Sequence, residues 1–232
     1  MVVIFMKLCI KACLEKELYK ELIKGEVMNS KQKAAMFGLD ARIALAIFGA
    51  LSVISGAALY SAIQDAKATA LIAEMNEVGK AWEQYYLDTG VNLPRVDSDS
   101  SAGGYYMFKT AELVNNNDNV NGWRGPYLSN IAGSTYLNLP GYYRVYMIEA
   151  SLDDAFGGVD GSWSGAICTA GKRCGMYVMF TGYTDTDLAN KIDEKVDGSD
   201  GFNSGKFRTY YINDLDKNRY MLHYSSVKNS ND

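Results

Sequence analysis

The chain has 232 residues, 48% of them hydrophobic, enough to bury one substantial core or two small ones. A net charge of −4 leaves no clustered basic surface, so no nucleic-acid partner is expected. The single histidine, His223, argues against most His-dependent catalysis and His-rich metal sites, while 17 Tyr and only 3 Pro suit strands and a long unbroken helix.

The first 27 residues, "MVVIFMKLCIKACLEKELYKELIKGEV", fit no simple leader. A start at Met28 would leave "MNSKQKAA", short and basic, which makes residues 1–27 read as a start assigned too early. Cys9 and Cys13 are four apart and can share a helical face, but two thiols do not make a metal site, and they receive no function.

From Ile43 to Gln64 the chain carries no charge over 22 residues. At ~1.5 Å per residue such a helix reaches roughly 33 Å, enough for a bilayer core of about 30 Å. Lys31, Lys33 and Arg42 flank it before, and Asp65 follows, so the positive-inside rule keeps the N-terminus cytoplasmic and exports the rest. A secretory signal has an apolar core of only about 7–15 residues and then a cut. Here the pattern continues instead: Leu71, Met75, Val78, Trp82 and Tyr85 recur at spacings of 4, 3, 4 and 3, with Ile72 and Tyr86 widening the face. A cut near Ala62 would sever that continuity. With no Pro between residues 36 and 93, the pattern predicts one helix of about 50 residues, apolar all round and then one-sided. Gly49, Gly56 and Gly79 weaken it by roughly 1 kcal/mol each without ending it. Ser52 and Gly56 form a small-xxx-small pair, with Ala46 and Gly49 nearby, as in packed membrane helices.

After Gly90 the texture changes. "VDSDSSAGG" (96–104) and "VNNNDNVNG" (114–122) are turn-forming, with the apolar patch "YYMFKTAELV" (105–114) between them. Strands are expected at 142–150, 176–183, 207–212 and 219–224, the last two as a hairpin. A long helix followed by short strands predicts an α+β fold, with an antiparallel sheet on the helix stripe and loop-rich insertions. Cys168 and Cys174, once exported, should form a disulfide that adds roughly 2 kcal/mol by closing a short loop. A redox or metal role is the alternative, although the spacing is not C-x-x-C.

"TDTDLANKIDEKVDGSDGFNSGKFR" (184–208) reads as a helix capped by Thr184 or Asp185 that runs into a Gly-rich acidic loop. There Asp193, Asp197, Ser199, Asp200 and Asn203 could offer oxygen ligands to Ca²⁺. The spacing is not that of an EF-hand, and a solvated turn is the other reading. No P-loop, dinucleotide fingerprint, G-x-S-x-G elbow or H-E-x-x-H is present, so no enzyme is expected.

Three stretches carry a family resemblance: "KQKAAMFGLDAR" (31–42) leading into the apolar run, "YYLDTGVNLP" (85–94) and "GWRGPYL" (122–128). Together they resemble the type IV pilin and type II secretion pseudopilin superfamily, and the major pseudopilin subgroup most nearly. The resemblance implies a leader (1–35) cut by prepilin peptidase between Ala35 and Met36, with Gly38–Leu39 as the alternative bond, and a methylated new amine. It implies an assembly helix (36–64) bearing Asp40, Arg42, Gly49, Ser52 and Gly56, an amphipathic continuation (65–90) and an exported β-rich domain (91–232). Asp40 would take the acidic fifth position, pairing with the N-terminal amine of a neighbouring subunit. The chain departs from the pattern in Ala35 for Gly, Asp40 for Glu and Ala57 near the usual proline.

Implied partners are the chain itself and other pilin-like subunits, the prepilin peptidase, an inner-membrane assembly platform and the bilayer. Implied location is the bacterial inner membrane with the C-terminal domain periplasmic, then a filament. The subgroup also binds calcium near its C-terminus. The rival expectations are that Asp40 and Arg42 merely mark a membrane interface, and that the chain is a non-polymerising, membrane-anchored periplasmic binding module.

Overall fold

Helix α1 (Lys33–Thr89) runs for 57 residues without a break. The computed structural model describes residues 33–99, 106–129, 131–138, 144–159, 164–183, 185–211 and 218–232; residues 1–32, most of the expected leader, and the candidate cap Thr184 lie outside these. The helix ends where Gly90 turns left-handed (φ 70°), and its N–H donates to the Tyr86 carbonyl at 2.8 Å. The chain divides into two units, residues 1–58 and 59–232.

In the first unit every residue from Asp40 to Ala58 is exposed, including Phe48 and Val53, each 71% accessible. This part of α1 belongs to a helix long and apolar enough to cross a membrane.

In the second unit α1 supplies a core stripe. Leu71, Met75, Val78, Trp82 and Tyr85 are all buried, as the spacing predicts. The stripe starts two turns earlier than expected, with Gln64 and Ala68 also buried. Tyr86, expected to widen this face, is instead 48% exposed: it opens on a groove beside Tyr224 rather than onto the sheet. Gly79 is not a mere weak point. A Cβ there would overlap the Tyr224 ring, so the glycine lets the strand that carries Tyr224 approach the helix.

Among the described residues the strands are β1 (Met107–Phe108), β2 (Ile131–Ala132), β3 (Leu137–Asn138), β4 (Val145–Ser151), β5 (Gly158–Val159), β6 (Cys174–Thr181), β7 (Phe207–Tyr211) and β8 (Arg219–Val227). They form one sheet in the order β2-β3-β4-β6-β8-β7-β5, with β1 on β4. Pairing is antiparallel except that the two-residue edge strand β5 lies parallel to β7. The expected β7–β8 hairpin partners do pair.

Register explains which face meets the helix. Met147, Val178, Leu222 and Phe207 stand opposite one another across four strands and join the α1 stripe in one cluster. The neighbouring row, Ile148 and Tyr177, packs on the other face with Phe156, Ala166 and Met221. Both faces of β4 and β6 are therefore covered, which is why these strands read as near-continuous apolar runs rather than alternating ones.

Candidate functional site

The acidic turn after the second helix gathers the most chemistry. Helix α2 (Thr186–Asp197) begins at Asp185, whose side chain accepts the Leu188 N–H at 3.1 Å, and ends at Gly198 in left-handed backbone. It buries Leu188, Ala189, Ile192 and, on the same face, Asp193. The loop then folds back so that Asp197 Oδ2 accepts the N–H groups of Lys206 (2.9 Å) and Phe207 (2.6 Å) at the start of β7.

Asp193 Oδ2 accepts the Gly201 N–H at 3.3 Å. Its Oδ1 is buried and has no hydrogen-bond partner among the described residues, with the whole residue only 4% exposed. Carboxylate oxygens of Asp193, Asp197 and Asp200 lie within 4.8 Å of one another. A Cβ on Gly205 would stand 2.7 Å from Asp200 Oδ2 and 2.8 Å from Asp197 Oδ2, so only glycine leaves the carboxylates this room. Burial holds the Asp193 carboxyl above the usual carboxylate range; the Gly201 N–H opposes this, and the charges of Asp200 and Asp197 add to it. A buried carboxylate with one unpartnered oxygen, grouped with two further carboxylates, fits a hard divalent cation with oxygen ligands. Ser199 and Asn203 lie on the same exposed loop, Ser199 in left-handed backbone (φ 70°). The Asn203 carbonyl is occupied by the Phe156 N–H at 3.2 Å.

Cys168 and Cys174 form a disulfide, both buried, with Cα atoms 6.0 Å apart. Glu149 lies close to both sulfurs, but disulfide sulfur is no thiolate ligand, and Glu149 is instead held by Arg95 (2.7 Å) and by Ser230 through its N–H (3.1 Å) and hydroxyl (2.8 Å). The C-terminal tail closes over the bridged loop. Asn229 Nδ2 donates to the carbonyls of Thr169 (2.7 Å) and Lys172 (3.0 Å), and Asp232 Oδ1 accepts the Gly171 N–H (2.8 Å). The His223 ring sits edge-on to Tyr177 at 5.2 Å, and burial lowers its pKa.

Two of the resembling stretches meet in space. The Tyr127 hydroxyl donates to Asp88 Oδ2 (3.1 Å) and accepts the Arg124 N–H (2.9 Å), while the rings of Tyr85 and Tyr127 meet edge-on at 5.9 Å. A Cβ on Gly122 would lie 2.7 Å from the Asp88 carbonyl oxygen, so that glycine too is needed for close approach. The Gly-Pro turn thus locks onto the last turn of α1.

On α1 itself Asp40 and Arg42 are exposed, and a Cβ added at Gly38, Gly49 or Gly56 would meet nothing within 4 Å. Ser52 returns its hydroxyl to the Phe48 carbonyl at 2.8 Å. At about 100° per residue, Gly49, Ser52 and Gly56 share one face and Asp40 lies roughly 120–180° round from them. Asp40 and the small-residue face therefore lie on different sides of the helix. Ala35, Met36 and Leu39 fall within the helical backbone, their side chains outside the described residues.

Sequence reasoning missed one contact set, in which Tyr60 and Gln64 bind the first turn of α2. Its signal was Gln64, a polar residue four before Ala68 that continues the buried stripe. Compared with family models, with curated proteins and with solved structures, the chain finds no match.

Proposed function

We propose that the chain is a pilin-like structural subunit that polymerises through its N-terminal helix after a leader cut, building a type II secretion pseudopilus or a type IV pilus. The observation that carries this reading is the division of labour along one helix. From Asp40 to Ala58 it leaves every side chain uncovered, and from Gln64 to Tyr85 it forms the core of an antiparallel α+β domain. An apolar surface of that length needs lipid before assembly and copies of itself after it. Asp40, costly at the edge of hydrocarbon, takes the cut amine of a neighbour as its partner.

The work is non-catalytic. It begins at the inner membrane with the domain in the periplasm, and involves the prepilin peptidase and an assembly platform. Asp193, Asp197 and Asp200 hold one calcium ion, which draws α2 and the start of β7 together. The rival, an anchored module that never polymerises, draws on the groove of about 730 Å³ lined by Tyr86, Leu87, Val91 and Tyr224. Asp40→Ala separates the two. The assembly reading expects filaments to be lost while membrane insertion stays intact. Filaments formed normally by that variant would remove the role of Asp40.

A further inference from the structure

The apolar run and the folded domain overlap along α1. Ile43–Gln64 carries no charge, yet its last turn is already bound to α2. The Tyr60 hydroxyl donates to Asp187 Oδ2 at 2.8 Å, and Gln64 Nε2 donates to Asp185 Oδ2 at 3.1 Å and to the Tyr60 hydroxyl oxygen at 3.0 Å. One residue on, Asp65 pairs with Lys195 at 3.3 Å. Gln64 is 4% exposed beneath these contacts, while Leu59 and Ile63 stay 62% and 38% exposed on the same stretch of helix.

Asp185 is committed as the N-cap of α2 and Asp187 is exposed, so both stay at a level where charge is tolerated. Hydrocarbon must therefore end near Leu59. That leaves Ile43–Leu59, 17 residues, or roughly 25 Å of helix against a hydrocarbon core of about 30 Å. A span this short is accommodated by local thinning of the bilayer and by Arg42 reaching outward to the opposite interface.

We propose that the Tyr60–Gln64 turn and the first two turns of α2 form a contact surface for phospholipid headgroups, with Tyr60, Ile63, Asp187 and Asn190 seated in the headgroup layer and no spacer between span and domain. The occupant follows from covalent continuity with the apolar run. Tyr60 has the amphipathic ring suited to an interface, and Asp187, Lys191 and Lys67 present mixed charge to zwitterionic headgroups. The inference rests on reading the apolar run from Ile43 as a membrane span.

The test uses the full chain with Cys9→Ser and Cys13→Ser, carrying Leu51→Cys, Ile63→Cys or Asn190→Cys, nitroxide-labelled and reconstituted in dioleoylphosphatidylcholine vesicles. Depth is read from collision with oxygen against a water-soluble nickel chelate. The expected result is a Leu51 label near the bilayer centre and Ile63 and Asn190 labels both at headgroup level. An Ile63 label deep among acyl chains, or an Asn190 label in bulk water, overturns the surface. A Leu51 label in water overturns the span instead, so the two failures are distinct. Tyr60→Phe with Gln64→Leu removes the three hydrogen bonds. The Asn190 label should then move toward water while the Leu51 label stays, and an unmoved Asn190 label overturns pinning by this pair.

Discussion

Glu112 shows how one residue can set a pH dependence. It lies in the short 3₁₀ turn Thr110–Leu113, 1% exposed, and its Oε2 accepts the Asp118 N–H at 3.3 Å. Burial pushes its carboxyl above the usual range; the Asp118 N–H opposes the shift and the Asp118 charge reinforces it. A raised carboxyl favours the neutral form in the folded state. Its contribution is therefore most favourable below the ordinary carboxylate range, declines as pH rises through the window up to the raised value, and stays low above it. Glu112→Gln keeps an acceptor and removes the charge. Thermal unfolding should show the variant with the higher Tm at neutral pH and the difference vanishing in acid. A variant no more stable at neutral pH would contradict the cost assigned to this buried charge.

At the scale of elements, the proposed calcium ion would tie α2 to β7 by neutralising the three carboxylates. Calcium added to chelator-treated protein should raise Tm, by about 2.7 kcal/mol of stability at a hundredfold excess over Kd. Asp193→Asn should be more stable than the parent in chelator and should lose most of the calcium increment. Equal increments in the two proteins would take calcium away from Asp193.

How much of these elements the sequence disclosed depended on period. The stripe from Leu71 to Tyr85 was legible because its side chains are apolar at helical spacing; Gln64 was not, because a polar residue at a buried position looks like the end of a pattern. The principal strands were legible within about three residues at either end, but their order across the sheet was not, since β8 lies between β6 and β7 through long-range pairing. The acidic residues of this turn could be named from composition. Which of them converge depends on Asp193 falling on the buried face of α2 and on Gly205 leaving space, and neither is a local property. Gly79 reads as a weak point of the helix and Gly122 as a turn residue, yet their absent side chains make room for Tyr224 and for the Asp88 carbonyl.

For the whole molecule, the governing feature is a helix with two kinds of surface. Its later half is stabilised by the sheet, and its earlier half exposes Ile43, Leu45, Ile47, Phe48, Leu51, Val53 and Ile54. At roughly 25 cal/mol per Å² of apolar surface, that face is strongly driven to leave water. In the proposed reading lipid would satisfy it in a monomer and neighbouring helices in a filament, where Asp40 on one side and Gly49, Ser52 and Gly56 on the other would meet different subunits. The choice between anchor and subunit then turns on the leader, because a free amine beside Asp40 exists only after a cut. The most direct measurement is the intact mass of the protein recovered from its native membranes. The assembly account predicts a chain beginning at Met36 with one added methyl group. A chain beginning at Leu39 would keep the cut but remove the pairing assigned to Asp40, and an uncut chain beginning at Met1 or Met28 would contradict the account.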